Sequence, residues 1–220
     1  DGSHKREDYI IQTKVTPGVV GYQAVFDDLE QSLSNLGTAY VDVYFIHWPV
    51  NRGSEKSYHA ENVEIWRAFE YLYESGKVKR LGVCNFLERH LIDILSNCKV
   101  KPTVHQLEIH PGYQQIGLVE FSQKLGMDIE AWSPMGRGEL KSKTYMDMAD
   151  RYGCNIGQLA IRWSLQKGYT PLSRSKTKEH IINNRILNFN ISEEDMSKID
   201  ELNTNTNYLD IWSYKRQQMY

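Results

Sequence analysis

Short apolar runs rich in β-branched and aromatic residues recur along the chain, at residues 9–14 (YIIQTK), 41–47 (VDVYFIH), 78–84 (VKRLGVC), 103–109 (TVHQLEI), 127–133 (MDIEAWS) and 169–173 (YTPLS). Runs of this length and composition predict six strands. Between them apolar residues return every three or four positions: Phe26, Leu29, Leu33 and Leu36; Ile65, Phe69 and Leu72; Leu91, Ile94 and Leu95; Leu118, Phe121 and Leu125; Ile156, Leu159, Ala160 and Trp163. That spacing lines one face of a helix. Three helix ends share one device: Gly76, Gly126 and Gly168 each precede a strand, where a residue without Cβ can turn left-handed and stop the helix. Alternating strands and helices with repeated junctions predict a parallel sheet with helices outside it. No linker or low-complexity stretch divides residues 1–220, which therefore read as a single domain.

Two parallel architectures fit this pattern, the open doubly wound sheet and the closed (β/α)8 barrel. The first calls for a glycine-rich phosphate fingerprint after its first strand, whereas GRGEL at 136–140 lacks the third glycine and follows the fifth strand. In the barrel, chemistry gathers where strands end. Here the six strands end in Lys14, in His47, in Cys84 with Asn85, in Gln106 with Glu108, in Trp132 with Ser133, and in Ser173 with Arg174. Six polar endings on one rim favour a built site.

Each of these residues also has a plainer reading. Lys14 alone fits a solvated strand end, and His47 alone fits a capped core histidine. Trp48 and Pro49, however, force an extended exit and set a flat apolar surface beside the imidazole, which suits a pocket wall. Asn85 and Gln106 can satisfy loop backbone groups, or pair with a planar carboxamide such as that of nicotinamide; Trp132 can pack in the core or stack on a ring. The cationic stretch SRSKTKEH (173–180) fits a solvated face, but it also precedes a helix after the last strand, where barrels hold phosphate. His105 and His110 lack a third ligand at metal-binding spacing and read as structural, so no metal is expected.

Composition narrows the class further. With 40% apolar and 25% charged residues and a formal net charge of -2, the chain has the profile of a globular protein without the basic stripe of a nucleic-acid binder. Three cysteines, Cys84, Cys98 and Cys154, form no disulfide framework and suggest a reducing compartment, the cytoplasm. No apolar run approaches the roughly 20 residues of a membrane span, and DGSHKREDY does not resemble a signal peptide.

Seven motifs in order, IIQTK, LGTAYVDVYFIHWP, ESGKVKRLGVCNF, VHQLEIHP, EAWSPMGRGEL, TPLSRSKTKEHIINN and NISEEDMSKIDEL, resemble the aldo-keto reductases from about Arg6 onward. The resemblance implies a (β/α)8 barrel that reduces aldehydes and ketones with NADPH. It implies that Lys14 and His47 are the family's catalytic lysine and histidine, and that Trp48 walls the substrate pocket. Asn85 and Gln106 match the carboxamide-binding residues, with Cys84 replacing a serine. Trp132 stands at the nicotinamide-stacking position, and Ser133, Met135 and Gly138 match the pyrophosphate loop. Arg174, Ser175, Lys176 and Thr177 match the 2'-phosphate site; His180 replaces an arginine there, and Asn184 matches the adenine-binding asparagine. Further substrate-wall candidates are the loop NRGSEKSYH and the tail YLDIWSYKRQQMY.

The family's catalytic tyrosine and aspartate belong to a DTAxxYxNE motif after the second barrel strand, and the 220 residues contain no such motif. About six of eight βα units are then expected here, in an incomplete barrel domain, with the natural protein longer. Two open sheet edges would favour association if it is not, and a complete barrel would be a monomer. Two functional readings follow: an NADPH-dependent reductase of a small carbonyl substrate, and a nicotinamide-cofactor binder without turnover.

Overall fold

The computed structural model describes residues 4–49, 58–138 and 140–205. Six strands, β1 (Gln12–Lys14), β2 (Val41–Ile46), β3 (Val78–Cys84), β4 (Val104–Glu108), β5 (Asp128–Trp132) and β6 (Thr170–Leu172), are ordered in the sheet as in the sequence. The helices are α1 (Tyr22–Leu36), α2 (Tyr58–Glu74), α3 (Glu88–Asn97), α4 (Ile116–Lys124), α5 (Lys143–Arg151), α6 (Ile156–Gln166), α7 (Lys178–Asn183) and α8 (Glu193–Asp200). Gly76, Gly126 and Gly168 have φ of 77°, 81° and 80°, as their places before β3, β5 and β6 predict. The described residues group into two compact units, one of those up to 105 with 125–127, the other of 106–124 with those from 128 to 205.

In the first unit β1, β2 and β3 are parallel, and their register sets Lys14, Phe45 and Gly82 in one row. Side chains alternate along β2. Tyr44 turns to the helices, stacking on Phe69 of α2 at 4.4 Å and donating its hydroxyl to Asp28 Oδ2 of α1 at 2.9 Å. Val25, Leu29 and Leu33 of α1 and Ile65, Trp66, Phe69 and Leu72 of α2 are buried. Phe45 and His47 have the opposite parity. β1 is shorter than its apolar run predicts, because side chains occupy the backbone before it. Ile11 N–H donates to Asp42 Oδ2, and Arg6 donates to the Tyr9 carbonyl. Ile10 is left 78% exposed.

In the second unit β5 and β6 are parallel, with Trp132 opposite Leu172. Leu107, Ile109, Ile129 and Ala131 form one core with Tyr145 and Met148 of α5, Leu159, Ala160 and Trp163 of α6, and Ile191 and Ile199. Gln106, Glu108, Glu130 and Trp132 have the opposite parity along β4 and β5. The phase of α4 differs from the sequence pattern: Val119 and Ser122 are its buried residues, while Leu125 is 37% exposed. Ser122 can occupy the core because its hydroxyl donates to the Leu118 carbonyl within the helix. Helices α5 and α8 have no counterpart in the apolar spacing above. Their starts are nonetheless marked by Ser142 and Ser192, whose side chains accept from Tyr145 N–H and Asp195 N–H.

Candidate active site

β1 ends at Lys14, whose ammonium lies 5.4 Å from the centroid of the Phe45 ring on the neighbouring strand. An aromatic face attracts a cation at that distance. Phe45 in turn lies over Gly82, where an added Cβ would come within 2.4 Å of the ring. Gly82 therefore sets the height of the ring on which the ammonium rests. Gly82→Ala is expected to cost about 1–3 kcal/mol, the usual range for overpacking, because the displaced ring is fully buried. Urea denaturation of the variant beside the parent measures it.

β2 runs on into His47, half-buried, with its imidazole centroid 6.1 Å from the Trp48 ring and 25° from parallel. Asn62 of α2 donates to the Pro49 carbonyl and fixes the exit from the strand. Burial, and then the Lys14 ammonium, hold the His47 pKa below the usual histidine value. At neutral pH the ring is therefore neutral, with one N–H to donate and one lone pair.

β3 ends at the buried thiol of Cys84, and Asn85 follows with φ of 60°. Asn85 Nδ2 donates to the His47 carbonyl at 3.2 Å and contacts Cys84 Sγ at 3.1 Å. One amide thus ties the ends of β2 and β3, from a left-handed conformation that asparagine tolerates better than most residues. Asn85→Gly keeps the conformation and loses the tie, whereas Asn85→Ala loses both. The alanine variant is expected to be about 1 kcal/mol less stable than the glycine one, opposite to the usual helix and strand preference. Thermal unfolding of the two variants side by side measures the difference.

In the second unit Gln106 is buried and donates Nε2–H to Glu130 Oε2 at 2.7 Å. Trp132 is half-buried, and its carbonyl accepts from Ile109 N–H at 3.3 Å. Ser133 then turns left-handed, with φ of 52°, into a loop closed by Gly136 N–H to the Ser133 carbonyl and Gly138 N–H to the Met135 carbonyl. The Met135 thioether packs where a Cβ on Gly157 would stand, so this glycine seats the loop on the first turn of α6.

Beyond β6, Arg174, Lys176, Thr177 and His180 are exposed and Ser175 is half-buried. Thr177 Oγ1 caps α7 by accepting from His180 N–H, and Asn184 Nδ2 donates to Ser175 Oγ at 3.1 Å. Among the described residues neither Arg174 nor Lys176 pairs with a carboxylate. Sequence reasoning missed Gly82, Glu130 and Gly157. A glutamate inside the run MDIEAWS, in phase with Trp132, was the one visible signal for Glu130. Residues 51–57 and 208–220 of the expected substrate wall lie outside the described residues.

The sequence model of the Aldo/keto reductase family matches residues 1–148 and 141–204. The chain belongs to the aldo/keto reductase family. It is 40% identical over 203 residues to the uncharacterized oxidoreductase YtbE of Bacillus subtilis, covering 91% of this chain and 69% of that protein. It is 37% identical over 200 residues to the glyoxal reductase of the same organism, covering 90% and 70%. Among solved structures, an aldo-keto reductase from a Medee basin deep-sea metagenome library superposes with a TM-score of 0.87 at 33% identity, over 94% of this chain and 75% of that one. A Bombyx mori aldo-keto reductase in complex with NADP does so with a TM-score of 0.87 at 28% identity, over 97% and 74%. This aldo/keto reductase is an oxidoreductase with the family's (β/α)8 barrel fold, of which about six βα units lie in this chain. Among the described residues no helix is long and apolar enough to cross a membrane.

Proposed function

We propose that this aldo/keto reductase reduces a small aldehyde or ketone to the alcohol with NADPH. The observation that carries the reading is the group Arg174, Ser175, Lys176 and Thr177, which sets two exposed cations and two hydroxyls on one short segment after β6. This donor set, with no carboxylate paired to it among the described residues, fits the phosphomonoester that distinguishes NADPH from NADH. Complexes of relatives with NADP and NADPH add support. Asn184 would face the adenine. Ser133, Met135 and Gly138 would hold the pyrophosphate, and the half-buried face of Trp132 would take the nicotinamide ring.

When bound, NADPH supplies the hydride that a carbonyl carbon accepts. His47, neutral and carrying one N–H, hydrogen-bonds the carbonyl oxygen and stabilises the negative charge that grows there. The Lys14 ammonium adds positive potential to the same end of the sheet, and Trp48 walls the pocket. Asn85 holds the backbone of His47 in place, a positioning role that the geometry of its amide supports.

The hydroxyl proton of the alcohol is then drawn from solvent water, since the tyrosine motif that supplies it in the family is not among the 220 residues. A second reading is cofactor binding without turnover. A calorimetric titration with NADPH, run beside loss of reduced-nicotinamide absorbance with small aldehydes, separates the two. Saturable binding with turnover supports reduction, binding alone supports the second reading, and no binding overturns both. A cytoplasmic location goes with this proposal, and the free thiols of Cys84, Cys98 and Cys154 suit it.

A further inference from the structure

Gln106 and Glu130 share the parity of β4 and β5 opposite to Leu107 and Ile129, both are at least nine-tenths buried, and Gln106 Nε2 donates to Glu130 Oε2 at 2.7 Å. A glutamine amide has two orientations differing by a half-turn about its last torsion, and they exchange the positions of donor and acceptor. In this bond the Glu130 oxygen is the acceptor. It therefore selects the orientation in which the amide nitrogen faces Glu130 and the carbonyl oxygen of Gln106 points the other way. A bond of this length, at the short end of the usual range, holds that choice firmly.

We propose that Glu130 is a positioning residue that fixes the amide of Gln106 with its oxygen outward, so that Gln106 recognises the carboxamide N–H of the nicotinamide. This rests on the reading that NADPH binds and goes beyond it, since it assigns a selective role to a buried carboxylate one strand away. Glu130 acts through Gln106 and does not itself touch the cofactor. The consequence is selectivity for the substituent on the pyridine ring. A ring bearing an acetyl group in place of the carboxamide has no N–H to offer, so it gains nothing from the orientation that Glu130 imposes.

The test compares calorimetric Kd values for NADPH and its reduced 3-acetylpyridine analogue. Glu130→Gln keeps the shape and an acceptor but lets the Gln106 amide take either orientation. It is expected to weaken NADPH about fivefold, of the order of one hydrogen bond, while the analogue changes by less than about twofold. Gln106→Leu should produce the same selective loss, and the double variant should be no worse than Gln106→Leu alone, since both changes remove one interaction. Equal loss for both ligands, no loss for either, or additive losses in the double variant would each overturn the proposal. Should Glu130→Gln fail to fold, Glu130→Asp stretches the same bond and must give the same selective loss; without it the proposal falls. Failure of the parent chain to bind NADPH is a separate outcome, which overturns the underlying reading of function.

Discussion

Lowering the pH from 7 to 5 is expected to cost the fold about 4 kcal/mol through two histidines that play no part in the proposed chemistry, with the lowered pKa of His47 adding in the same direction. His105, fully buried on β4, has its pKa pushed down to about 3 by burial, against a hydrogen bond with the Phe86 backbone that raises it. His90 on α3 is pushed down to about 4 by burial and then by Arg89, with Asp93 opposing. A group whose folded pKa lies below its unfolded value stabilises the fold above the unfolded pKa, here about 6.5 for histidine, and that stability is lost as pH falls. The loss runs from about 6.5 down to the folded values and amounts to about 2 kcal/mol per histidine at pH 5. Asp42 and Asp195, whose pKa values are lowered by hydrogen bonds that outweigh their burial, add to the loss only below the ordinary carboxylate range.

One substitution isolates the contribution of His90. His90 Nδ1 accepts Leu87 N–H at 3.0 Å at the start of α3, in the place where a capping box often has glutamine. His90→Gln keeps an acceptor and removes the titration. Its urea-unfolding free energy should therefore fall by about 2 kcal/mol less than the parent's between pH 7 and pH 5. An unchanged pH slope would show that His90 does not carry the linkage.

Removing both cations of the Arg174 to Thr177 segment should have the second large effect. Arg174→Ala with Lys176→Ala is expected to raise the Kd for NADPH about a hundredfold, two charge-assisted contacts at about tenfold each, while NADH binding changes by less than about twofold. Because both side chains are exposed, the loss should shrink as salt is added. An equal loss for the two cofactors would mean that the segment supports the fold rather than reading the phosphate.

Much of this was legible in the sequence because the fold repeats. Three glycines of one conformation stop three helices, and each strand announces the polar residue at its end. What the sequence hid was pairing between elements. Gln106 reads as a ligand for a carboxamide, yet the acceptor of its amide hydrogen bond belongs to Glu130, 24 residues onward. Gly82 looks like an ordinary strand glycine until the register sets it under Phe45, and Gly157 until Met135 is found against it. Helix α4 misled because a serine that bonds to its own helix fills a core position, while Leu125 at the end of the apolar stripe is exposed. Helix α5 was passed over although Tyr145, Met148 and Ala149 return at helical spacing and are buried, and α8 offers only Asp195 and Ile199 as buried residues.

The reading proposed above is that this protein, in its family role, transfers hydride from NADPH to a carbonyl carbon. Incubation with NADPH deuterated at the transferable position of the ring and a small aldehyde, followed by mass spectrometry of the alcohol, tests it most directly. Alcohol carrying one deuterium on the former carbonyl carbon is the predicted result; bound cofactor with no deuterated alcohol would contradict it.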